Sequence, residues 1–222
     1  MKKLLLATTI LTSLSNLTLA DSNNNYYFKI QPEVVSTFAS FIQENSTTSK
    51  TGTTKIDIGF FTTSNGVKLE IGKYLNDYFA LSIGSSWTLN AEAETGMNSM
   101  AISINSKLIP KLNLIAYKSD DTTVVLGAGI GFHQIRSGYI STVTNEKKSK
   151  FIGDDLSGII SEINLNIATN INPTANIGLD LGISYSTLSL TEVRQEAISN
   201  TKATQNWQSV GVSIGLSAKF SV

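Results

Sequence analysis

The chain has no cysteine, one histidine, three prolines and only 15% charged residues in 222 positions. The missing cysteines exclude a disulfide scaffold. A lone histidine, His133, leaves no cluster of nitrogen and sulfur ligands for a metal. Seventeen basic residues against seventeen acidic ones provide no basic excess, so nucleic-acid binding is excluded as a class. Beyond the N-terminus no stretch approaches the ~20 consecutive apolar residues of a spanning helix. That absence excludes helical membrane proteins and is silent about β-barrels, whose strands alternate and escape hydropathy windows.

The N-terminus reads differently from the rest. Lys2 and Lys3 precede the apolar run Leu4–Leu19, which ends in Thr18-Leu19-Ala20. A basic start, a short apolar stretch and small residues at the −3 and −1 positions predict a secretory signal, residues 1–20, cleaved between Ala20 and Asp21. Export places residues 21–222 outside the cytoplasm as one domain, with fifteen basic against seventeen acidic residues, a net charge of −2.

What the chain has in quantity is alternation. In Val67–Leu75, Val67, Leu69 and Ile71 share one parity, against Lys68, Glu70 and Gly72. After Asn76-Asp77 the pattern restarts, with Phe79, Leu81, Ile83 and Trp87 opposite Ala80, Ser82, Gly84 and Ser86. A period of two is a β-strand, and Asn-Asp between two such runs is a hairpin turn. The same reading along the chain predicts eight strands, with tight turns at Asn76-Asp77, Ser119–Asp121 and Asn172–Thr174. Long polar loops are predicted at Gln43–Lys55, Asn90–Met97, Ser137–Asp155 and Thr191–Asn206. Pro32 and Pro110 lack the N–H that a ladder needs, which leaves the register open there, and the stretch Thr63–Gly66 reads as an irregular point.

Connections that alternate long and short between an even number of strands predict an all-β, eight-stranded antiparallel up-and-down transmembrane barrel. Its long loops are extracellular and its short turns periplasmic. The polar parity carries Gly, Ser, Asn and Thr where a water-facing surface carries Lys, Glu, Arg and Asp. That composition suits a narrow lumen. The aromatic residues Phe28, Phe79 and Phe220 fall near the predicted periplasmic strand ends, and Trp87, Phe132 and Tyr185 near the others, as two interfacial belts. Phe79 and Trp87 lie about 26 Å apart along one strand, or roughly 20 Å vertically at a tilt of ~40°, close to the ~25 Å apolar band of such barrels.

The runs LEIGKYLNDYFALSIG and VVLGAGIGF, with the terminal alternating strand ending AKFSV, resemble the small outer-membrane β-barrels of Gram-negative bacteria, the OmpA/OmpX and OmpW-like group. The resemblance implies the barrel fold, residence in the outer membrane, and delivery by periplasmic chaperones and the barrel-assembly machinery. It implies little about activity, since the group includes structural proteins, adhesins, small channels and surface antigens. Barrels of this kind commonly end in an aromatic residue; here Val222 stands last, with Phe220 on the same face.

By parity, Lys29, Glu70, Asp180 and Lys219 point into the lumen near the periplasmic end, and Lys68, Lys107, Arg136 and Glu162 point inward elsewhere. Opposed charges in so narrow a space must pair, so Lys29, Glu70, Glu162, Asp180 and Lys219 form a candidate ion-pair plug. No cofactor motif is present: Gly127, Gly129 and Gly131 alternate within a strand and open no helix. The leading functional expectation is a non-enzymatic, monomeric surface protein of the envelope, with host or matrix ligands contacted at its loops. Three other classes stay open. They are a narrow channel for small or apolar solutes, a lipid-modifying hydrolase using His133 with Ser103 or Ser184 and Glu162, and a soluble lipocalin-like periplasmic carrier.

Overall fold

A computed structural model describes residues 26–47, 53–95, 98–142, 156–195 and 200–221. The expected signal, the Ala20-Asp21 cleavage point and Val222 lie outside the described residues. The strands are β1 (Tyr26–Thr47), β2 (Thr53–Tyr74), β3 (Phe79–Thr95), β4 (Asn98–Lys118), β5 (Thr122–Thr142), β6 (Leu156–Asn172), β7 (Ala175–Gln195) and β8 (Asn200–Ser221). Each pairs antiparallel with its sequence neighbours, and β1 closes on β8. The three turns stand where the sequence places them. Asn76 Oδ1 accepts the Tyr78 and Phe79 N–H groups at 2.8 and 2.9 Å, and Asn172 Oδ1 accepts that of Thr174 at 2.9 Å.

The register fixes the size of the tube. Stepping between paired residues from Ile30 leads through Leu69, Ser85, Leu108, Phe132, Ile159, Thr187 and Gln208 back to β1 at Ser40. A stagger of ten residues (30 to 40) over eight strands sets a strand tilt of about 40° and a backbone radius of about 8 Å. Side chains fill such an interior.

The prolines cost ladder contacts without displacing the register. The β1–β8 pairs pass from Ile30↔Ala218 to Glu33↔Gly215 across Pro32, and the β4–β5 pairs from Leu108↔Phe132 to Lys111↔Gly129 across Pro110, both in unbroken count. The expected irregularity at Thr63–Gly66 is absent: β1 and β2 pair continuously from Tyr26↔Lys73 to Ser46↔Thr53. Shifts occur instead at Ile115/Tyr117 and Asn170/Asn172, beside the short turns, where bulges tighten the bend.

A second correction concerns the loops. Much of what reads as polar loop is ladder: Gln43–Ser46 pairs with Ile56–Thr53, Ala91–Thr95 with Ile102–Asn98, and Thr191–Gln195 with Thr204–Asn200. From Phe38 to the end of β1 at Thr47 the strand continues well past the aromatic level. The β2–β3 pairs run from Tyr74↔Ala80 to Gly66↔Thr88, and beyond that point β2 pairs with β1 and β3 with β4. Among the described residues, the β2–β3 ladder thus ends below the tops of both strands.

The outside of the tube is apolar. Ile71, Ile130, Ile163 and Leu216 are each more than 60% exposed, while Asp180 and Lys68 on the inner parity are 1% and 3% exposed. This inverts the arrangement of a soluble barrel, and a continuous apolar exterior of this extent needs a nonaqueous partner. Phe28, Phe79 and Phe220 ring one end of the band, and Trp87, Phe132 and Tyr185 stand toward the other, all exposed. Phe28 to Phe38 on β1 spans about 33 Å of strand, or roughly 25 Å vertically at the tilt above.

Candidate functional site

Among the described residues, the lumen is where many charges meet. Lys29 (β1), Lys68 (β2) and Lys111 (β4) face Glu70 (β2), Glu162 (β6) and Asp180 (β7), all buried. Lys29 Nζ lies 3.1 Å from Asp180 Oδ2 and 3.7 Å from Glu70 Oε2, and Lys111 Nζ lies 2.5 Å from Glu162 Oε1 and 3.7 Å from Glu70 Oε2. Lys68 pairs with the same Glu162 oxygen. Strands β2 and β6 stand opposite each other in a ring of eight, so this pair crosses the whole lumen. Three cations and three carboxylates balance, which is the condition for keeping charges out of water at tolerable cost.

Polar neighbours complete the cluster. Tyr27 Oη donates to Glu70 Oε1 at 2.8 Å and accepts from Asn113 Nδ2 at 3.0 Å. Asn166 Nδ2 donates to Asp180 Oδ2 at 2.7 Å and to Ser217 Oγ at 2.9 Å, and Asn164 Nδ2 reaches Asp180 Oδ1 at 3.4 Å. Above these, Gln31 Nε2 donates to Glu33 Oε2 at 3.2 Å. The lysine stems lie over Gly84, where an added Cβ would touch Lys111 Cε and Lys68 Cε at 3.6 Å each.

Of the five residues expected to pair, four do: Lys29, Glu70, Glu162 and Asp180. Lys219 is the exception. Its ammonium lies over the rings of Tyr27 and Tyr74, 5.4 and 5.5 Å from their centroids, in the wall of a vestibule of about 700 Å³ at the short-turn end of the tube. The aromatic faces supply the negative potential that a carboxylate would otherwise provide. The cluster also reaches beyond the short-turn end where it is expected, because Glu162 pairs in the ladder with Gly129 and Ser184, well up β6. Lys111, Tyr27 and Asn113 were not anticipated as members. The signal was present in the parity of Ile109, Lys111 and Asn113 but was masked by Pro110 beside them. The side chain of Arg136 lies outside the described residues.

Among the described residues, His133 is bonded to neither Ser184 nor Glu162. Its Nε2 lies 2.6 Å from Asn105 Oδ1, Glu162 is taken by two lysines, and Ser184 shares a cavity with it but forms no bond to it among the described residues. The side chain of Ser103 lies outside the described residues. Chemically, the arrangement gathers opposed charges across the lumen, and among the described residues it aligns no nucleophile with a base.

No protein-family model matches the sequence, and no curated protein matches it. Solved structures do resemble the fold. The outer-membrane protease OmpT of Escherichia coli aligns over 93% of this chain and 99% of its own, at 12% identity and a TM-score of 0.45. OprG of Pseudomonas aeruginosa, an outer-membrane protein, aligns over 89% and 98% at 10% identity and a TM-score of 0.47. Ail, the attachment invasion locus protein of Yersinia pestis, aligns over 82% and 98% at 10% identity and a TM-score of 0.34. At these identities no residue role transfers.

Proposed function

We propose that the chain is an integral outer-membrane β-barrel with a sealed lumen, and that it acts as a non-enzymatic surface protein through the strand extensions and loops above the membrane. The Lys68–Glu162 pair across the lumen, fixed on both sides by Lys111, Glu70, Lys29 and Asp180, carries this reading. A tube of about 8 Å backbone radius crossed by ion pairs leaves no continuous water path. The apolar exterior with its two aromatic belts supplies the lipid-facing surface, and the extended upper strands supply the area that a host or matrix ligand would meet. Lipid is then the constant partner, and a single chain closes its own sheet, so a monomer suffices.

Planar-bilayer recording of the refolded protein tests the seal. The native chain is expected to give no resolved steps, and Glu70→Ala with Asp180→Ala to produce them. Steady conductance by the native chain would overturn the sealed reading in favour of a narrow channel. A peptide tag inserted between residues 48 and 52 should be detected on intact cells; detection only after lysis would overturn the orientation.

A further inference from the structure

Above the ion cluster the lumen holds a second, smaller feature that the sealed-barrel reading does not use. A cavity open to the centre of a water-sized particle over about 20 Å³ is lined by Thr62, Lys107, His133 and Trp207, among others. Three of these have buried polar atoms without a partner: Thr62 Oγ1, His133 Nδ1 and Trp207 Nε1, in residues 5%, 3% and 3% exposed. Buried polar atoms are ordinarily satisfied, so three converging on one cavity point to an occupant.

The donors define its chemistry. The indole N–H can only donate, the lysine ammonium can only donate, and a threonine hydroxyl donates freely. Histidine conforms as well. Turning over the Asn105 amide, whose oxygen and nitrogen are interchangeable by geometry, lets it donate to His133 Nε2, and Nδ1 then carries its proton toward the cavity. Lys107 is the only lysine, arginine or carboxylate among the described lining residues, and among the described residues it makes no ion pair within 4.0 Å. Glu162 and Glu33 attract it from farther away, but Glu162 is held by two other lysines and Glu33 accepts from Gln31. A cation is therefore disfavoured. The volume exceeds the ~10–15 Å³ that one water requires and is too small for a carboxylate or phosphate.

We infer that the upper lumen is a binding site for one monatomic anion of chloride size, held by Lys107, Trp207, Thr62 and His133. The site places an anion directly above the ion-pair cluster.

The chain has two tryptophans, so Trp87→Phe leaves Trp207 as the only indole, read by excitation on the red edge where its tyrosines do not absorb. In detergent micelles this full-length variant is titrated with sodium bromide against sodium sulfate at matched ionic strength. A saturable change in Trp207 emission is expected with bromide, reversed by chloride and absent with sulfate. Lys107→Met added to it should weaken the apparent affinity at least tenfold. Linear quenching without saturation, or an identical response after Lys107→Met, would overturn the proposal and assign the cavity to water. Should Lys107→Met fail to fold by gel mobility, Thr62→Val provides the same comparison. Crystals grown in bromide add a direct reading. An anomalous peak among the four residues supports the site, and its absence at saturating bromide overturns it.

Discussion

Lys68 on β2 and Glu162 on β6 pair across the full width of the barrel, and Lys111 on β4 lies 2.5 Å from the same carboxylate oxygen. One carboxylate thus serves two buried ammonium groups, and Glu70, 3.7 Å from Lys111, supplies the further negative charge that the pair of lysines needs. Glu162→Gln would leave both lysines buried beside a neutral amide. Removing one side of a buried pair costs ~3–5 kcal/mol. The urea midpoint of the refolded barrel, read from the folded and unfolded gel bands, should fall accordingly. Lys73→Met, which removes a half-buried cation over the Tyr26 ring on the outer face, serves as the comparison and should change the midpoint little. Equal midpoints for the two variants would mean that water reaches the cluster.

Gly129 makes the bridge possible. It lies between Lys111 and Glu162 in the ladders of β4 and β6, and a Cβ there would stand 2.8 Å from both Ile109 Cγ2 and Lys111 Cγ and closer still to the Pro110 carbonyl oxygen. The demand is steric, since backbone lies in the way. Gly129→Ala should destabilise by ~1–3 kcal/mol, as overpacking does. Gly59→Ala, where nothing lies within 4 Å, should be neutral within error. The same urea titration separates them, and a neutral Gly129→Ala would show that the wall yields at this point.

Why parts of this structure can be read from sequence and others cannot follows from what each face touches. Between Phe28 and Phe38, one parity faces out of the tube and the other faces the lumen, so Ile30, Pro32 and Val34 alternate legibly with Lys29, Gln31 and Glu33. Above that level the sequence loses its apolar parity. Gln43–Ser46 and Asn200–Thr204 are then polar on either parity and read as loop although they pair. Parity also turns Glu70, Glu162 and Asp180 inward but is silent on who meets whom. The ten-residue stagger decides that, by lifting each strand relative to the last until Glu162 comes level with Lys68. Lys219 shows the remaining limit: its partners are the rings of Tyr27 and Tyr74, and a search for opposite charge passes over them. Trp207, at the edge of a predicted loop, likewise turns out to line the upper cavity.

The two tryptophans face opposite media. Trp87 is 41% exposed on the outer parity, and Trp207 is 3% exposed inside. In vesicles of lipids brominated along the acyl chain, Trp87 emission should be quenched strongly and Trp207 emission weakly. Single-tryptophan variants Trp207→Phe and Trp87→Phe read each in turn. Quenching of Trp87 should peak with bromine near the headgroups, because the residue belongs to the outer aromatic belt. A maximum for bromine at the chain ends would move the belt to mid-bilayer and undo the assignment of the membrane boundary.

Ile130 gives the sharpest test of what surrounds the barrel. It is 69% exposed on β5, on the outer parity and inside the apolar band between the two aromatic levels. In a water-soluble carrier, Ile130→Lys would be harmless or would improve solubility. In lipid, a lysine near the bilayer midplane costs ~2–4 kcal/mol and falls toward zero at the interface. Ile130→Lys should therefore lower the urea midpoint in phosphatidylcholine vesicles. Phe79→Lys, on the same face at the periplasmic boundary, should lower it less, because there the ammonium can reach the headgroups. Depth dependence is the decisive part, since general damage to the fold would not follow distance from the midplane. Indifference of stability to both lysines would remove the membrane from the account, even though the barrel itself would stand.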